Sequence, residues 1–296
     1  MKNSLKNVCC VTAAVFVMAT AVHAGMEAPL KTKWTLPGFS HPESVYLDIP
    51  QQVLYVSNVN GGPLDKDGNG FISKVSRDGK FIALKWIEGL NAPKGMVMRG
   101  HTLYVTDIDK LVEIDTMAGK ITNSYPAEGA VFLNDPAVDA AGNVYVSDIA
   151  KRKIWQLKDG KMSIWLDKED LMHINGLRVI YGGKLLVAGW GREMQDDGST
   201  KTPGNLMTID LKTKELKNLG AGQPVGNLDG IGRDAHGNFL VTDFIKGALY
   251  RIHKDGTFET LIDLPAGSAD LDVIDKGQTA VIPVMMEDTV TAYDIP

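Results

Sequence analysis

The sequence contains almost no cysteine and no long apolar stretch beyond its first residues. Its two cysteines, Cys9 and Cys10, both lie in the apolar N-terminal segment. The rest of the chain therefore has no disulfide, no thiolate metal ligand and no thiol nucleophile. No stretch after the first 24 residues is long and apolar enough to cross a bilayer, so we expect no stable membrane anchor.

Motifs of several common enzyme classes are also missing. The sequence has no phosphate loop of the Gly-x-x-x-x-Gly-Lys-Ser/Thr type, no His-Glu-x-x-His pair and no Gly-x-Ser-x-Gly elbow. The formal net charge is −5, and an acidic chain disfavours a surface for nucleic acid. We therefore expect no nucleic-acid partner, and the sequence leaves the oligomeric state open.

The first 24 residues are typical of a secretory signal peptide. Lys2 and Lys6 form a basic start, an apolar run covers 8–22, and the small residue Ala24 ends the segment. We expect residues 25–296 to form one domain in the periplasm or outside the cell. A chain of that length buries enough surface to form a stable core without disulfides.

One pattern recurs six times in the remaining chain. Residues 133–148 (LNDPAVDAAGNVYVSD) indicate a β-hairpin, because two alternating apolar segments flank the turn at Gly142-Asn143. The other copies are residues 42–58, 93–107, 174–189, 228–243 and 269–284. Their second strands end 41 to 54 residues apart. Such a period, with several short strands in each copy, is typical of a β-propeller.

Two more strands follow each hairpin and complete a blade. In the third copy they are residues 153–157 and 162–166. The sixth copy is short: residues 290–295 supply its third strand, and we expect residues 31–36 to supply its outer strand. We therefore predict an all-β, six-bladed β-propeller of four-stranded antiparallel blades. Its ring is closed by an N-terminal strand, which also removes the exposed sheet edges.

Two connections between second and third strands are long. They cover residues 58–70 and 189–205, and both are predicted to project over the face where the inner strands begin. Long ordered loops on a scaffold rim tend to be functional. In the second connection, Trp190 either belongs to a lid over a pocket or packs between neighbouring blades.

The run Asp65-Lys66-Asp67-Gly68-Asn69-Gly70 resembles the first half of an EF-hand calcium loop. The twelfth position of such a loop requires a bidentate glutamate, and Ser76 stands there. We interpret this run as a glycine-rich turn with solvated acids, and a bound ion is the alternative.

One residue at the start of each inner strand is predicted to point toward the central axis. These residues are Glu43, Lys94, Asn134, Asn175, Asp229 and Asp270. All six are polar, and converging polar groups are costly to bury unless something satisfies them. Carboxylate and amide oxygens favour Ca²⁺, then Mg²⁺ or Mn²⁺. The alternative is a water-filled tunnel lined by hydrogen-bonded polar side chains.

The order of four of these residues resembles a known family. Glu43, Asn134 in LNDPAVDAAGNVYVSD, Asn175 in INGL and Asp229 in LDGI are similar to the motifs of the senescence-marker-protein/gluconolactonase (regucalcin-like) family. Paraoxonases and diisopropyl fluorophosphatase are six-bladed relatives of that family. The resemblance spans residues 25–296. It implies that the four positions bind one catalytic divalent cation, usually calcium, with Mn²⁺, Zn²⁺ and Mg²⁺ as alternatives.

The resemblance also implies a reaction, the metal-dependent hydrolysis of a lactone or related ester. The cation would act as a Lewis acid, and Asp229 would act as general base or nucleophile. The family's substrate-binding arginine is missing from the second blade, where this chain has Lys94. Lys94 either holds a substrate oxygen or forms an ion pair with Asp270 or Glu43.

His41 and His173 each precede a presumed ligand by two residues, at the tunnel mouth. With Lys94, Asp270 and Trp190 they are the candidates for lining a substrate site. The rival interpretation is a non-catalytic propeller that binds a small ligand or a partner protein and holds a structural calcium in its tunnel.

Overall fold

The computed structural model describes residues 30–296, which form six antiparallel sheets arranged in a ring. The innermost strand of each sheet contacts the innermost strands of its two neighbours. This confirms the predicted six-bladed β-propeller. The predicted signal peptide, residues 1–24, lies outside the described residues. Within residues 30–296, no helix has the length and apolar character needed to cross a membrane.

The chain runs through the blades in order, from the inner strand of each blade to its outer strand. The first strand is β1 (Thr32–Pro37). Blade one contains β2 (Pro42–Asp48), β3 (Val53–Asn58), β4 (Gly70–Ser76) and β5 (Phe81–Leu90). Blade two contains β6 (Pro93–Arg99), β7 (Thr102–Asp107), β8 (Lys110–Asp115) and β9 (Lys120–Pro126). Blade three contains β10 (Leu133–Val138), β11 (Val144–Asp148), β12 (Lys153–Lys158) and β13 (Lys161–Asp167).

The last three blades follow the same plan with two variations. Blade four contains β14 (His173–Ile180), β15 (Lys184–Met194), β16 (Thr200–Pro203), β17 (Leu206–Asp210) and β18 (Leu216–Asn218). Blade five contains β19 (Leu228–Arg233), β20 (Phe239–Asp243), β21 (Ala248–Ile252) and β22 (Phe258–Asp263). Blade six contains β23 (Asp272–Ile274), β24 (Thr279–Val284), β25 (Thr289–Asp294) and, as its outer strand, β1. Short 3₁₀ turns cover Asp275–Gly277 and Met285–Glu287.

The N-terminal strand closes the ring as predicted. β1 pairs with β25, with Trp34 opposite Ala292 and Leu36 opposite Val290. The same Trp34 and Leu36 side chains pack against the apolar cluster between blades six and one. The two ends of the chain therefore share one sheet, so opening the ring would break both strand pairing and apolar contacts.

The predicted loop 189–205 is instead mostly a β-hairpin. β15 continues to Met194 and pairs with β16, with Arg192 opposite Thr202 and Met194 opposite Thr200. The turn between them is closed by a hydrogen bond from the N–H of Gln195 to the carbonyl of Ser199 (2.8 Å), and Gly198 there has a positive φ of 81°. A glycine adopts that conformation without strain, so Asp197-Gly198 forms the turn that joins the two strands.

The apolar core lies between the blades. Six clusters of buried side chains each join two neighbouring blades, including blades six and one. Between blades three and four, for example, Tyr145 and Trp165 pack with Leu177 and Leu185. The ring is therefore stabilised by six apolar interfaces of the same kind, which fix the blades around the axis.

Two hairpin turns, in blades three and five, share the sequence Asp-Ala-x-Gly-Asn and the same hydrogen bonds. Asp234 is buried and accepts bonds from the Asn238 N–H (2.8 Å), the Asn238 amide (3.0 Å) and Arg251 Nε (3.0 Å). Asp139 and Asn143 form the same side-chain and backbone pair in blade three. Burial alone would raise the pKa of Asp234. The hydrogen bonds from Asn238 and the charge of Arg251 outweigh it, so the pKa lies below its usual value.

We predict that Asp234→Asn lowers the free energy of unfolding at pH 7 by about 1 to 3 kcal/mol, because it removes the buried carboxylate that accepts from half-buried Arg251 and leaves only the exposed Glu259 to pair with it. A lowered pKa stabilises the folded state above the unfolded-state pKa of about 3.9, and that stability is lost as the pH falls through the folded-state value. Urea unfolding from pH 7 to pH 3 should therefore show a shallower acid-induced loss for Asp234→Asn than for the wild type. The control Asp263→Asn changes an exposed carboxylate of the same blade. It should leave unchanged both the free energy of unfolding at pH 7 and its loss on acidification. Equal pH profiles for wild type and Asp234→Asn would contradict the assignment.

Candidate functional site at the tunnel mouth

A β-bulge places the predicted site residue at the start of five inner strands. In each, two residues of the inner strand lie opposite one residue of the second strand. These sets are Glu43 and Ser44 opposite Ser57, Lys94 and Gly95 opposite Thr106, Asn134 and Asp135 opposite Ser147, Asn175 and Gly176 opposite Ala188, and Asp229 and Gly230 opposite Thr242. A bulge re-aims a side chain that a regular strand would direct elsewhere. Here it accounts for five polar side chains sharing one end of the tunnel.

The second residue of three bulges is a glycine, at points where the next blade approaches closely. A Cβ at Gly176 would lie 2.1 Å from the carbonyl oxygen of Asp229, and one at Gly230 would lie 2.4 Å from the N–H nitrogen of Leu271. A Cβ at Gly95 would meet the Asp135 carboxylate at 2.2 Å. Real side chains cannot approach so closely, so these glycines let neighbouring inner strands come together. This explains the Lys-Gly, Asn-Gly and Asp-Gly pairs of the sequence.

Hydroxyl groups of the second strands satisfy the backbone at the bulges. The N–H of Ser44 donates to Ser57 Oγ (2.9 Å), that of Asp135 to Ser147 Oγ (2.9 Å), and that of Gly230 to Thr242 Oγ1 (3.0 Å). A buried N–H without a partner is costly, and the bulge removes the regular ladder partner. The hydroxyls therefore hold the site residues in place.

The residues that end the second strands orient the segments leading into the inner strands. Asp107 accepts hydrogen bonds from the N–H groups of Asn91 (3.1 Å) and Ala92 (2.8 Å), just before Lys94. Asp148 likewise accepts from Val131 and Phe132 before Asn134, and Asn58 accepts from Ser40 before Glu43. Sequence reasoning missed these supporting residues. The signal was the recurrence of Asn or Asp at the last position of four aligned second strands.

Four oxygen atoms at the tunnel mouth are buried without a hydrogen-bond partner among the described residues. They are Glu43 Oε2, Asn134 Oδ1, Asn175 Oδ1 and Asp229 Oδ1. Their side chains are at most 5% exposed. These are the four residues predicted to ligate a cation. All four line one cavity, so the structure brings them together.

The two carboxylates of this set are costly to ionise, chiefly because they are buried. Burial, followed by the charges of Asp229 and Asp270, raises the pKa of Glu43 well above its usual value. Burial and the charges of Asp270 and Asp243 do the same for the pKa of Asp229. In residues 30–296, no three His, Cys, Asp or Glu side chains form a metal-ligand group, so a cation here would depend on the two amides as well. Two carboxylates and two amide oxygens without partners fit a hard divalent cation, which takes oxygen ligands.

Lys94 lies in the same cavity but makes no ion pair with Glu43 or Asp270. Its Nζ donates to the carbonyl oxygens of Pro63 (2.8 Å) and Ala92 (2.9 Å), and lies 4.7 Å from the ring centre of Phe132. Burial lowers the pKa of Lys94 to about 8, against the opposing charges of Glu43 and Asp107. Through Pro63, Lys94 also connects the 59–69 loop to the tunnel wall. One of its three N–H groups remains for a ligand.

The other substrate-lining candidates divide into two groups. His41 and Trp190 line the cavity. His173 does not: its Nδ1 lies 2.7 Å from the Ile149 carbonyl. Asp270 is also elsewhere, since it lines a second cavity on the opposite side of the tunnel and accepts a hydrogen bond from Ser44 Oγ (2.5 Å). The structure therefore does not bring these two residues into the cavity with the other candidates, and a contact with substrate stays a prediction for both.

The position of Asp270 has a simple cause. Blade six has no bulge at its inner strand, which begins only at Asp272. The N–H of Asp270 instead donates to the Glu43 carbonyl of blade one (2.9 Å), which draws this residue deeper into the tunnel. Burial raises its pKa to about 7, although the hydrogen bond from Ser44 opposes this shift. Asp135, which sequence reasoning did not single out, is also buried here and lines the second cavity.

The cavity above the four oxygens has a volume of about 360 Å³. Both long connections contribute to its rim, as predicted: Gly61 and Pro63 from the first, Met194 and Gly198 from the hairpin of the second. Trp190 does what both interpretations proposed, because it lines the cavity and packs against Phe244 of blade five, with ring centres 5.7 Å apart. The site therefore has a polar floor and an open mouth.

The acidic run in the first long connection forms a hydrogen-bonded turn. Asp65 accepts from the Gly62 N–H (2.9 Å), and Asp67 accepts from the N–H and the amide of Asn69. Lys66 pairs with Asp109 of blade two. These contacts agree with a glycine-rich turn whose acids are exposed to solvent.

Comparisons with known proteins identify the fold. No protein-family model matches the sequence, and no curated protein matches it. Among solved structures, the chain is similar to a gluconolactonase of Xanthomonas campestris, with a TM-score of 0.64 and 16% identity over 93% of each chain. It is also similar to a chain of a nidogen/laminin complex (TM-score 0.63, 17% identity, 77% of this chain and 87% of that one).

A third similar structure is a catalytically inactive virginiamycin B lyase of Staphylococcus aureus with quinupristin. Its TM-score is 0.57 and its identity 12%, over 89% of this chain and 99% of that one. At such identities the likeness establishes the propeller fold alone. The three similar structures are thus two enzymes and one chain of a protein–protein complex.

We predict that Ser147→Ala destabilises the fold by about 1 to 3 kcal/mol, because it leaves the buried N–H of Asp135 unpaired at the bulge. Ser163→Ala, an exposed serine of the same blade, should change stability by less than about 0.5 kcal/mol. Thermal unfolding of both variants measures the difference. Equal effects would show that the hydroxyl does not support the bulge.

Proposed function

We propose that the protein is a divalent-cation-dependent hydrolase acting on a lactone or a related ester. The observation that carries this proposal is the set of four buried, unpaired oxygens on the floor of an open cavity. Such atoms are costly to bury unless a ligand satisfies them. The likeness to a gluconolactonase supports the reaction class, since the same architecture carries that activity there.

Glu43, Asn134, Asn175 and Asp229 are the residues proposed to hold the cation. Calcium is the expected ion, and Mn²⁺, Zn²⁺ and Mg²⁺ are alternatives. When bound, the cation would polarise the substrate carbonyl as a Lewis acid and orient the substrate.

Asp229 is the proposed catalytic group, in one of two roles. As general base, it takes a proton from water while the water oxygen bonds to the carbonyl carbon. The ring C–O bond then breaks, and the proton passes to the leaving oxygen to give a hydroxy acid. As nucleophile, its carboxylate attacks the carbonyl carbon and the ring C–O bond breaks. Water then hydrolyses the resulting anhydride, which restores the Asp229 carboxylate, and a proton of that water passes to the ring oxygen to give the hydroxy acid.

Lys94 is proposed to hold a substrate oxygen and to stabilise the negative charge that develops on it. Two of its N–H groups are fixed by the carbonyls of Pro63 and Ala92, so its ammonium group is held in one position beside the cavity. A preorganised donor of this kind stabilises a transition state without reorganising during the reaction. His41 is the other side chain proposed to contact substrate, because its Nδ1 is buried without a partner among the described residues.

A non-catalytic binding propeller is the alternative from another class. The likeness to a chain of the nidogen/laminin complex supports it, because that propeller takes part in a protein complex. In this alternative the cation would only stabilise the tunnel. The open cavity above the four oxygens favours the hydrolase, since a purely structural ion needs no access from solvent. The proposed location remains the periplasm or the exterior of the cell.

A panel of lactones and aryl esters, assayed on purified protein with and without chelator, tests the proposal. We expect hydrolysis that is lost on chelation and restored by one added divalent ion. Metal analysis should give about one ion per chain, and chelation should lower the melting temperature because the ion binds only the folded state. A protein that retains its ion but hydrolyses no substrate of the panel would favour the binding propeller.

We predict that Asp229→Asn reduces hydrolysis by at least about a hundredfold, the scale of a general-base contribution. The substitution keeps the shape and one oxygen but removes the basic carboxylate, so ion occupancy should fall much less. Asn175→Asp is the matched control, because it adds charge to the same set and should tighten ion binding without adding a catalytic group. Turnover and ion content measured together show whether Asp229 acts in catalysis or only holds the ion. Near-normal hydrolysis by Asp229→Asn would exclude a catalytic role for Asp229.

A further inference from the structure

The walls of the tunnel-mouth cavity are apolar, in contrast to its floor. Beyond the four floor residues, the polar side chains among the described residues that line it are His41, Lys94 and Asp197. The walls are formed chiefly by Val59, Phe132, Ile149, Trp190, Phe244 and Met285. They belong to five of the six blades, so the apolar surface surrounds the floor.

Among the described residues, few polar atoms of these walls are free for a ligand, and they include the Nδ1 of His41 and the third N–H of Lys94. The indole N–H of Trp190 donates to the carbonyl of Gly198 (2.7 Å), which leaves the ring itself to face the cavity. Lys94 already donates two of its N–H groups to backbone carbonyls. A ligand with many hydroxyl groups would therefore lose its hydrogen bonds to water here and regain few from the protein.

The apolar walls are also preformed. Trp190 is held by its hairpin, since Asn227 Nδ2 donates both to the Trp190 carbonyl (2.8 Å) and to Thr200 Oγ1 (2.9 Å). Phe244 packs against Trp190 on one side and against the cluster containing Val59 and Met285 on the other. A rigid apolar pocket binds an apolar group without a cost for ordering its own side chains.

We infer that the substrate of this site carries an alkyl or aryl group on the carbon bonded to the ester oxygen, and that polyhydroxylated sugar lactones are excluded. The inference rests on the proposed function, because it assumes that the four floor residues hold the reacting end. The apolar group then lies against Trp190, Phe244 and Ile245, and the cavity of about 360 Å³ sets its size. Burial of each methylene group contributes about fourfold in affinity.

Two pairs of ligands test this inference, and each pair shares one ring. The first pair is δ-decalactone and δ-gluconolactone, compared by kcat/KM. The second pair cannot be hydrolysed: 2-pentyltetrahydropyran and 1,5-anhydroglucitol, compared by calorimetric titration of the cation-loaded protein. We expect δ-decalactone to exceed δ-gluconolactone by at least about a hundredfold, in line with the buried pentyl group. We expect binding of 2-pentyltetrahydropyran only.

Substitutions in the cavity walls test whether these walls cause the expected preference for δ-decalactone. Ile245→Asn places a polar group of similar size on the half-buried wall and should reduce kcat/KM for δ-decalactone about tenfold, while Trp190→Ala should reduce it further. The hydrogen bonds that hold Trp190 do not involve the Ile245 side chain, so Ile245→Asn remains informative if Trp190→Ala fails to fold. Tyr181→Asn, a change of a side chain that is 88% exposed outside the cavity, is the control and should have no effect.

The outcomes separate the inference from the proposed function. A preference for δ-gluconolactone would overturn the inference and leave the hydrolase intact. Selective binding of 2-pentyltetrahydropyran without turnover of either lactone would support the apolar ligand class and contradict the hydrolase. Absence of both binding and turnover would overturn both.

Discussion

The β-bulge at the start of five inner strands is the constraint on which the site depends. Each bulge turns one polar side chain toward the axis and leaves a backbone N–H that the second strand must satisfy, as Ser57, Ser147 and Thr242 do. The blades repeat the same local geometry around one axis. The polar side chains at the bulges therefore converge without special contacts between residues distant in sequence. Only then do two carboxylates and two amides share one buried region, where their oxygens lack partners. The apolar interfaces between blades supply the stability that offsets this electrostatic cost.

The same construction separates chemistry from recognition. The floor residues belong to short, buried inner strands that are fixed by both neighbours. The walls come from loop and hairpin positions such as Phe132, Trp190 and Phe244. Loops on a rigid scaffold commonly carry the residues that contact ligands. In the proposed function, the floor determines which reacting group is held, and the walls determine what is attached to it. This division would combine the proposed cation site with a cavity poorly suited to sugars.

Much of the fold was predictable from the sequence because a propeller repeats one short pattern. The copies fixed the number of blades, and the short sixth copy indicated closure by the N-terminal strand. Glu43, Asn134, Asn175 and Asp229 were predictable as neighbours because they occupy one position of the repeat. Asp270 shares that position of the repeat but has no bulge. Its N–H donates a hydrogen bond to the carbonyl of Glu43, a contact between residues distant in sequence that no local pattern encodes. His173 lies outside the cavity for a similar reason, since its ring nitrogen contacts the Ile149 carbonyl of the preceding blade. The 190–203 hairpin pairs residues that are close in sequence, and its Asp197-Gly198 turn was a local signal that sequence reasoning did not use.

A crystal grown with Mn²⁺ and measured at the manganese absorption edge tests the central claim most directly. Manganese takes the same oxygen ligands as calcium and gives an anomalous signal that locates it without assumption. The account predicts one strong peak at the tunnel mouth, within about 2.0 to 2.6 Å of oxygens from Glu43, Asn134, Asn175 and Asp229. A peak only at the turn around Asp65 and Asp67, or none at the tunnel mouth in the presence of excess Mn²⁺, would contradict it.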